Sequence, residues 1–172
     1  DTGYIRLEQE DVVLIADVAE LGPDYQPGHG HADTLSFEMS LYGVRFIVNS
    51  GTDRYGESDE RLRQRGTAAH NTLELNGRNS SEVWGGFRVA KRARPFGLVH
   101  SVSDEAVMVS CSHDGYRRLP GKPTHTRSWH LSAHELLLTD VIEGEYVSAI
   151  GRFHLAPSVQ VRVKSCRSCI LI

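Results

Sequence analysis

The sequence predicts an all-β protein, either a two-layer antiparallel β-sandwich or a jelly-roll barrel, and we predict the sandwich, with about a dozen strands. Short runs with apolar residues at alternate positions recur along the whole chain, which is the pattern of half-buried strands. Turn residues separate these runs, and only one segment, 59–65, suggests a helix. A chain of 172 residues is long enough for one such domain with a sizeable core.

The first half of the chain predicts four strands in two pairs. These strands are predicted at 4–7, 12–16, 35–41 and 44–48. A loop rich in Gly and Pro, 21–30, separates the two pairs. Gly43 marks the turn of the second pair, because glycine adopts a positive φ without strain.

The second half predicts the remaining strands, with one polar insertion before them. The charged segment 59–65 lies in that insertion and predicts a single helical turn, while 117–124, with two prolines, predicts a loop. The remaining strands are predicted at 72–75, 83–89, 98–102, 106–111, 126–131, 136–142, 147–154 and 159–163.

The composition excludes several classes of protein. The formal net charge is -3, so the chain has no global attraction to nucleic acid or to an anionic membrane. No apolar run approaches the roughly 20 residues that a membrane-spanning helix needs. Three cysteines, Cys111, Cys166 and Cys169, cannot form a closed set of disulfides. The chain begins with Asp1 rather than Met, so we expect a removed leader or a piece of a longer protein.

The densest candidate site is Gly-His-Gly-His-Ala-Asp at 28–33, just before a predicted strand. In an extended segment His29, His31 and Asp33 share one face, which suits a divalent metal or proton transfer near neutral pH. A polar loop with solvated histidines explains the same residues equally well. Two imidazoles alone are a weak indication of a metal.

Two further motifs lie at the ends of predicted strands. Asn49 follows an apolar strand within 47–52, and His70 lies among small residues within 67–72. The remaining histidines have no ligand spacing, and we interpret them as structural. The basic residues of 88–94, with Arg61, Arg63 and Arg65, indicate either a solvated strand face or a wall that binds a polyanion through Arg–carboxylate and Arg–sulfate pairs.

Other metal folds fit the spacing poorly. Thr34 follows Asp33 where a metallo-β-lactamase needs His, and Glu38 lies too far from His31 for the usual cupin pattern. A cupin-like metal protein stays as one alternative. No pair of carboxylates has glycosidase spacing, which argues against hydrolysis.

Taken together, four ordered motifs resemble the heparinase II/III-like family of polysaccharide lyases. They are 28–37, 46–52, 67–72 and 79–87, and the resemblance runs from about residue 4 to 157. It implies that residues 1–172 form a single β-sandwich domain, which in the family follows an N-terminal helical toroid. It also implies an acidic, uronate-containing polysaccharide as the partner, and a periplasmic or cell-envelope location.

The resemblance also implies roles for individual residues. His31, Asn49 and His70 occupy the positions that hold Zn²⁺ in the family, which usually has Asp where this chain has Asn49. His29 occupies the position of a histidine that faces the cleft, while the catalytic Tyr belongs to the toroid. The implied reaction is β-elimination, in which a base removes the C5 proton of the uronate and the 4-O-glycosidic bond breaks. A non-catalytic carbohydrate-binding or structural module is the alternative function.

Overall fold

The computed structural model describes residues 2–165 and 168–171, and it confirms the all-β sandwich. One α-helix, α1 (Asp59–Arg65), and two 3-10 turns, Pro27–His29 and Thr67–Ala69, accompany the strands. The strands are β1 (Tyr4–Gln9), β2 (Val12–Asp17), β3 (Phe37–Leu41), β4 (Val44–Ile47), β5 (Leu73–Leu75), β6 (Val83–Trp84), β7 (Arg88–Val89), β8 (Pro95–Val102), β9 (Ala106–His113), β10 (Thr124–Ser132), β11 (Leu136–Glu143), β12 (Ala149–Gly151), β13 (Val161–Ser165) and β14 (Ser168–Leu171).

Two four-stranded antiparallel sheets form the layers, and the main core lies between them. The first has the order β1-β2-β3-β4 and the second the order β11-β10-β9-β8. Trp129 of β10 is fully buried and meets Phe37 of β3 edge to face, with 6.5 Å between ring centroids. Val107, Val109 and Cys111 point inward from alternate positions of β9, as the period of two requires. Cys111 is a buried free thiol.

Glycine and left-handed backbone explain where strand boundaries differ from the predictions. The strand predicted from 35 begins at Phe37, because Leu35 has a φ of +64°. The strand predicted at 83–89 is instead the hairpin β6–β7, since Gly85 has a φ of +54° and turns the chain. Of the strand predicted at 147–154, only Ala149–Gly151 pairs, with β5.

The helical prediction is confirmed with the same bounds, 59–65. Ser58 caps the helix, because its hydroxyl accepts a hydrogen bond of 3.1 Å from the backbone N–H of Arg61. Asp59 and Glu60 occupy the first turn, where negative charge is favourable. No helix in the described part of the chain is long and apolar enough to cross a bilayer.

A buried polar network ties the second sheet to the loops at one end of the sandwich. Arg127 of β10 is fully buried and binds both carboxylate oxygens of Asp140, at 2.8 and 2.9 Å. Its remaining N–H groups donate to the backbone carbonyls of Leu35 and Asn71, at 2.9 and 2.5 Å. This one side chain therefore fixes two loops that carry predicted site residues.

Two buried histidines extend this network. Gly115 donates its backbone N–H to Nδ1 of His113, so His113 carries its proton on Nε2. That proton is donated to Nδ1 of His125 at 3.2 Å, and Nε2 of His125 donates to Asp140 at 2.6 Å. Burial lowers the pKa of both histidines, so both are neutral and structural, as the sequence predicts.

Candidate functional site

The predicted site residues lie on two loops at the same end of the first sheet. The loop between β2 and β3 carries His29, His31 and Asp33, and the connection from β4 to β5 carries Asn49 and His70. The first loop is fixed to the second by backbone hydrogen bonding. Ala32 donates its N–H to Arg65 and accepts a bond from the Thr67 hydroxyl, at 2.9 and 2.7 Å.

Two histidines and a carboxylate meet between these loops. One ring nitrogen of His31, one of His70 and a carboxylate oxygen of Asp33 all lie within 4.8 Å of one another. His70 is fully buried, and its Nε2 makes no hydrogen bond. The centroids of the two imidazole rings are 5.2 Å apart. We call His31, Asp33 and His70 the histidine cluster.

Asn49 lies beside this cluster, in contact with His70. Its Oδ1 accepts a hydrogen bond of 3.2 Å from Nδ1 of His70, and a second of 3.2 Å from the backbone N–H of Gly51. The structure thus brings His31, Asn49 and His70 to one place. The carboxylate in the cluster comes from Asp33. Asp33 belongs to the predicted motif 28–33, but the resemblance did not include it among the zinc positions.

The region of the cluster is electrostatically unusual because Asp33, and the buried Asp17 that lines the same cavity, have no cation partner in the part of the chain that the structure describes. Neither Asp17 nor Asp33 forms a salt bridge within the described residues. Burial, with the charge of Asp33, raises the pKa of Asp17 to about 8, and burial also raises the pKa of Asp33. The charge of Asp17, followed by burial, raises the pKa of Tyr4 to about 12.

The two histidines of the cluster are neutral at neutral pH. Burial, and then the charge of His70, lowers the pKa of His31 to about 4. Burial, and then the charge of His154, lowers the pKa of His70 to about 4. Neutral imidazoles are the form that binds metals, since a ring nitrogen must keep its lone pair.

The donor set fits a divalent cation in type. Zinc takes imidazole nitrogen and carboxylate oxygen, and a ligating histidine commonly donates its other ring N–H to an oxygen, as His70 does to Asn49. The unpaired buried nitrogen of His70 favours the same conclusion. Arg61 is a competing cation, because it donates a hydrogen bond of 3.3 Å to Nε2 of His31.

His29 lies apart from the cluster, at its exposed side. The predicted extended segment begins instead with the 3-10 turn Pro27–His29, so His29 does not share a strand face with His31 and Asp33. An open cavity of about 370 Å³ nevertheless connects them, and Tyr4, Asp17, His29, His31 and Asp33 line it. His29 therefore occupies the solvent side of the same space.

The basic residues do not form one wall. Arg92 and Arg94 bind Asp24, and Arg94 also binds Glu20. Arg61 and Arg65 of α1 are buried, with no carboxylate partner within the described residues. In the sequence, the four-residue spacing of Arg61 and Arg65 within the predicted helix indicates that both side chains lie on one side of it.

Arg65 connects three segments around His29. Its guanidinium donates to the backbone carbonyls of Gly30, Gly85 and Arg88, at 3.0, 3.3 and 3.3 Å. Sequence reasoning gave no role to three exposed aromatic residues nearby: Trp84 and Phe87, within the motif 79–87, and Tyr55, between β4 and α1. Glu38, the carboxylate that a cupin site would use, binds Arg45 at 2.6 Å and lies outside the histidine cluster.

Comparison with known proteins supports the fold and the motifs. The chain matches the sequence profile described as "Heparinase II/III-like, C-terminal" over residues 1–172. No curated protein sequence matches it. A crystal structure of heparinase III aligns with a TM-score of 0.69 at 22% identity, over 95% of this chain and 25% of that one. Heparan sulfate lyase HepC from Pedobacter heparinus aligns with a TM-score of 0.64 at 18% identity, over 84% of this chain and 21% of that one.

The chain thus spans a quarter or less of the length of these structures, and the likeness to them shows the fold. The family profile, by contrast, covers the entire sequence, including all four motifs. The chain therefore belongs to the heparinase II/III-like family, as its C-terminal β-sandwich.

Proposed function

We propose that this chain is the β-sandwich half of a polysaccharide lyase that cleaves uronate-containing glycans by β-elimination. The observation that carries the proposal is the position of His29. It is exposed and lines the same cavity as His31 and Asp33 of the histidine cluster, in a chain of the heparinase II/III-like family. The proposal includes a helical toroid as the other wall of the cleft, and a periplasmic or cell-envelope location.

His29 is suited to move a proton at the substrate. It lies on a 3-10 turn between Gly28 and Gly30, and its ring is exposed to solvent. An imidazole within reach of C5 accepts the proton, and the same group can return a proton to the leaving oxygen. The negative charge that develops on the uronate carboxylate then needs a cation or hydrogen-bond donors.

The histidine cluster is proposed to hold a divalent cation, with zinc as the first candidate. His31, Asp33 and His70 would be its ligands, and Asn49 would orient His70 through the bond to Nδ1. When bound, the ion supplies positive charge behind His29. Arg61 supplies positive charge to the same region through its contact with His31.

Arg65 is proposed to position His29. Its guanidinium holds the carbonyl of Gly30, one residue after His29, against the carbonyls of Gly85 and Arg88. The fully buried Arg65 side chain with three carbonyl partners fixes backbone geometry, because a hydrogen bond from a charged donor contributes roughly 1.5–3 kcal/mol. The catalytic loop therefore stays fixed before substrate binds.

A non-catalytic carbohydrate-binding module is the second candidate. The exposed rings of Tyr55, Trp84 and Phe87 favour it, because such rings bind sugars without any reaction. Product formation separates the two functions. A lyase makes an unsaturated uronate that absorbs in the ultraviolet, whereas a binding module only retains the polymer.

The test compares the 172-residue chain with a longer form that carries the toroid. Both are incubated with heparan sulfate and with alginate while ultraviolet absorbance is followed. We expect the chromophore from the longer form and none from the chain alone, because the second wall of the cleft and its Tyr are missing. Retention of polymer without chromophore by the longer form would assign the binding function instead.

A further inference from the structure

Two loops beside the His29 turn carry three exposed aromatic side chains. Tyr55 lies in the connection after β4, and Trp84 and Phe87 lie on the β6–β7 hairpin. They are 68%, 48% and 46% exposed, although each is large and apolar. We call Tyr55, Trp84 and Phe87 the aromatic patch.

Two rings of the patch are parallel, and one of them contacts the proposed acid–base residue. The planes of Tyr55 and Phe87 are 7° from parallel, with centroids 6.5 Å apart. The ring of His29 meets Tyr55 edge to face at 5.7 Å. Any group that lies on the Tyr55 face is therefore next to His29.

The patch is fixed in place by close backbone packing. A Cβ on Gly86 would lie 2.7 Å from the carbonyl oxygen of Gly56, so only glycine permits the hairpin to approach the Tyr55 loop. A Cβ on Gly28 would lie 3.5 Å from Phe87, which places that ring against the His29 turn. Because the rings are already ordered, a ligand does not have to organise them on binding.

The edge of the patch is cationic. The guanidinium of Arg88 lies 4.6 Å from the centroid of the Trp84 ring, and Arg88 has no carboxylate partner within the part of the chain described. Arg61 also lies over the Tyr55 ring, 5.6 Å from its centroid, but it is buried, so Arg88 is the arginine that a ligand can reach. Exposed aromatic rings beside an unpaired arginine complement a ligand with an apolar face and anionic substituents.

A sugar of an acidic glycan has this chemistry. One face of a pyranose ring exposes C–H groups, while its edge carries hydroxyls and, in such glycans, carboxylate or sulfate. A protein partner fits less well, because Gly85, Gly86 and Arg88 interrupt the rings and leave no continuous apolar core for an interface. The patch is also continuous with the cavity at His29, which a glycan must reach.

We propose that Tyr55, Trp84 and Phe87 form a stacking subsite for the sugar that neighbours the uronate at His29, with Arg88 binding its anionic substituent. This inference rests on the proposed function, since the uronate at His29 defines which sugar is the neighbour. The subsite sets the position of the glycan along the cleft, so that C5 of the bound uronate lies at His29.

The test measures binding of size-fractionated heparan sulfate oligosaccharides to the 172-residue chain by calorimetry and by NMR shifts of the aromatic rings. Tyr55→Leu and Phe87→Leu keep apolar bulk but remove the aromatic face. We expect each to weaken binding about tenfold, on the scale of one aromatic contact. Tyr55→Phe keeps the ring and should bind within about twofold of the wild type.

Tyr146→Ala is the matched control, because Tyr146 is also about half exposed, at 48%, but lies on the loop before β12. It should bind as the wild type does. The subsite is overturned if the wild-type chain binds no oligosaccharide, if both leucine variants bind like the wild type, or if the ring signals of Tyr55 and Phe87 do not shift.

Assays of the toroid-containing form distinguish a failure of the subsite proposal from a failure of the proposed function. If it makes the ultraviolet chromophore and the leucine variants have an unchanged KM, the lyase proposal stands and the subsite is wrong. If it makes no chromophore while the leucine variants still lose binding, the rings bind sugar in a non-catalytic module. Melting curves of the Tyr55, Phe87 and Tyr146 variants check that each remains folded.

Discussion

The amide oxygen of Asn49 accepts a hydrogen bond of 3.2 Å from Nδ1 of His70, and the carboxylate of Asp33 joins His70 and His31 in the cluster. The carboxylate of Asp33 and the amide oxygen of Asn49 thus lie at different positions around the His70 imidazole. The asparagine holds the ring, whereas the aspartate supplies the negative charge. The first two predictions separate these roles.

Asn49→Asp should raise zinc affinity by about tenfold or more, because it adds negative charge beside His70. Zinc bound only by the folded state adds stability, so the melting temperature should rise when zinc is supplied. Without zinc it should fall, since another carboxylate is then buried near Asp33. Elemental analysis and melting curves of both forms check this. If neither form binds zinc, the cluster is not a metal site.

Asp33→Asn should remove most zinc binding, at least about tenfold, because it takes the only carboxylate out of the histidine cluster. Without zinc the variant should be at least as stable as the wild type, since the repulsion between Asp33 and Asp17 is gone. Glu38→Gln is the control, because Glu38 binds Arg45 outside the cluster. Equal zinc isotherms for the Asp33 variant and the wild type would contradict the assignment.

His29→Ala should change the free energy of unfolding by no more than about 0.5 kcal/mol, as expected for an exposed residue. In the toroid-containing form it should lower lyase activity by about two orders of magnitude or more, through loss of an acid–base group. His134→Ala, at an exposed turn between β10 and β11, is the matched control. A large fall in melting temperature with unchanged activity would make His29 structural.

Arg65→Met should destabilise the fold by about 3 kcal/mol, because the carbonyls of Gly30, Gly85 and Arg88 lose a charged donor, at about 1 kcal/mol for each hydrogen bond. Arg63→Met changes an exposed arginine of the same helix, whose partner is Glu60, and should stay close to the wild type. Urea unfolding of both variants checks the difference. Similar midpoints for the two variants would show that Arg65 does not fix these loops.

The buried histidines His113 and His125 should make stability depend on pH. Burial lowers the pKa of both in the folded state, so on acidification the unfolded chain binds protons first, near pH 6.5. Their contribution is therefore fully present above about pH 6.5 and is lost as the pH falls below it. The variant His125→Gln keeps a donor for Asp140 but removes one titrating group.

We expect urea unfolding at pH 7.5 and 5.5 to show a smaller loss of stability in His125→Gln than in the wild type. The loss of stability between the two pH values is measured for each protein, and the difference between the two losses cancels groups that titrate in both. One such group is Asp17, whose raised pKa changes stability with pH in the opposite direction. Equal pH dependence in the two proteins would exclude His125 as a source.

Local patterns predicted most of the sandwich. Alternation along β9, seen in Val107, Val109 and Cys111, marks a strand with one buried face, and Ser58 before an acidic turn marks the start of α1. The strand predicted at 83–89 was wrong because Gly85 and Gly86 act as a turn, and glycine alone does not distinguish a turn from a bulge.

The site was less predictable because distant residues complete it. The motif 28–33 and the positions of Asn49 and His70 identified the loops that meet. The contact of Asn49 with His70, and the burial of Arg61 against His31, depend on how the loops pack, and no local spacing encodes that. Tyr55 and Phe87 come from loops without periodicity, so sequence reasoning offered no sign that their rings are parallel.

Arg127 has a consequence for the order in which the protein folds. Its guanidinium joins Leu35 and Asn71, which are 92 and 56 residues away along the chain. Contacts between such remote residues close large loops, so they form later than the local hairpins. We expect the loops that carry His31 and His70 to acquire their native arrangement only after β10 has paired with β9 and β11, which makes the site among the last parts of the molecule to form.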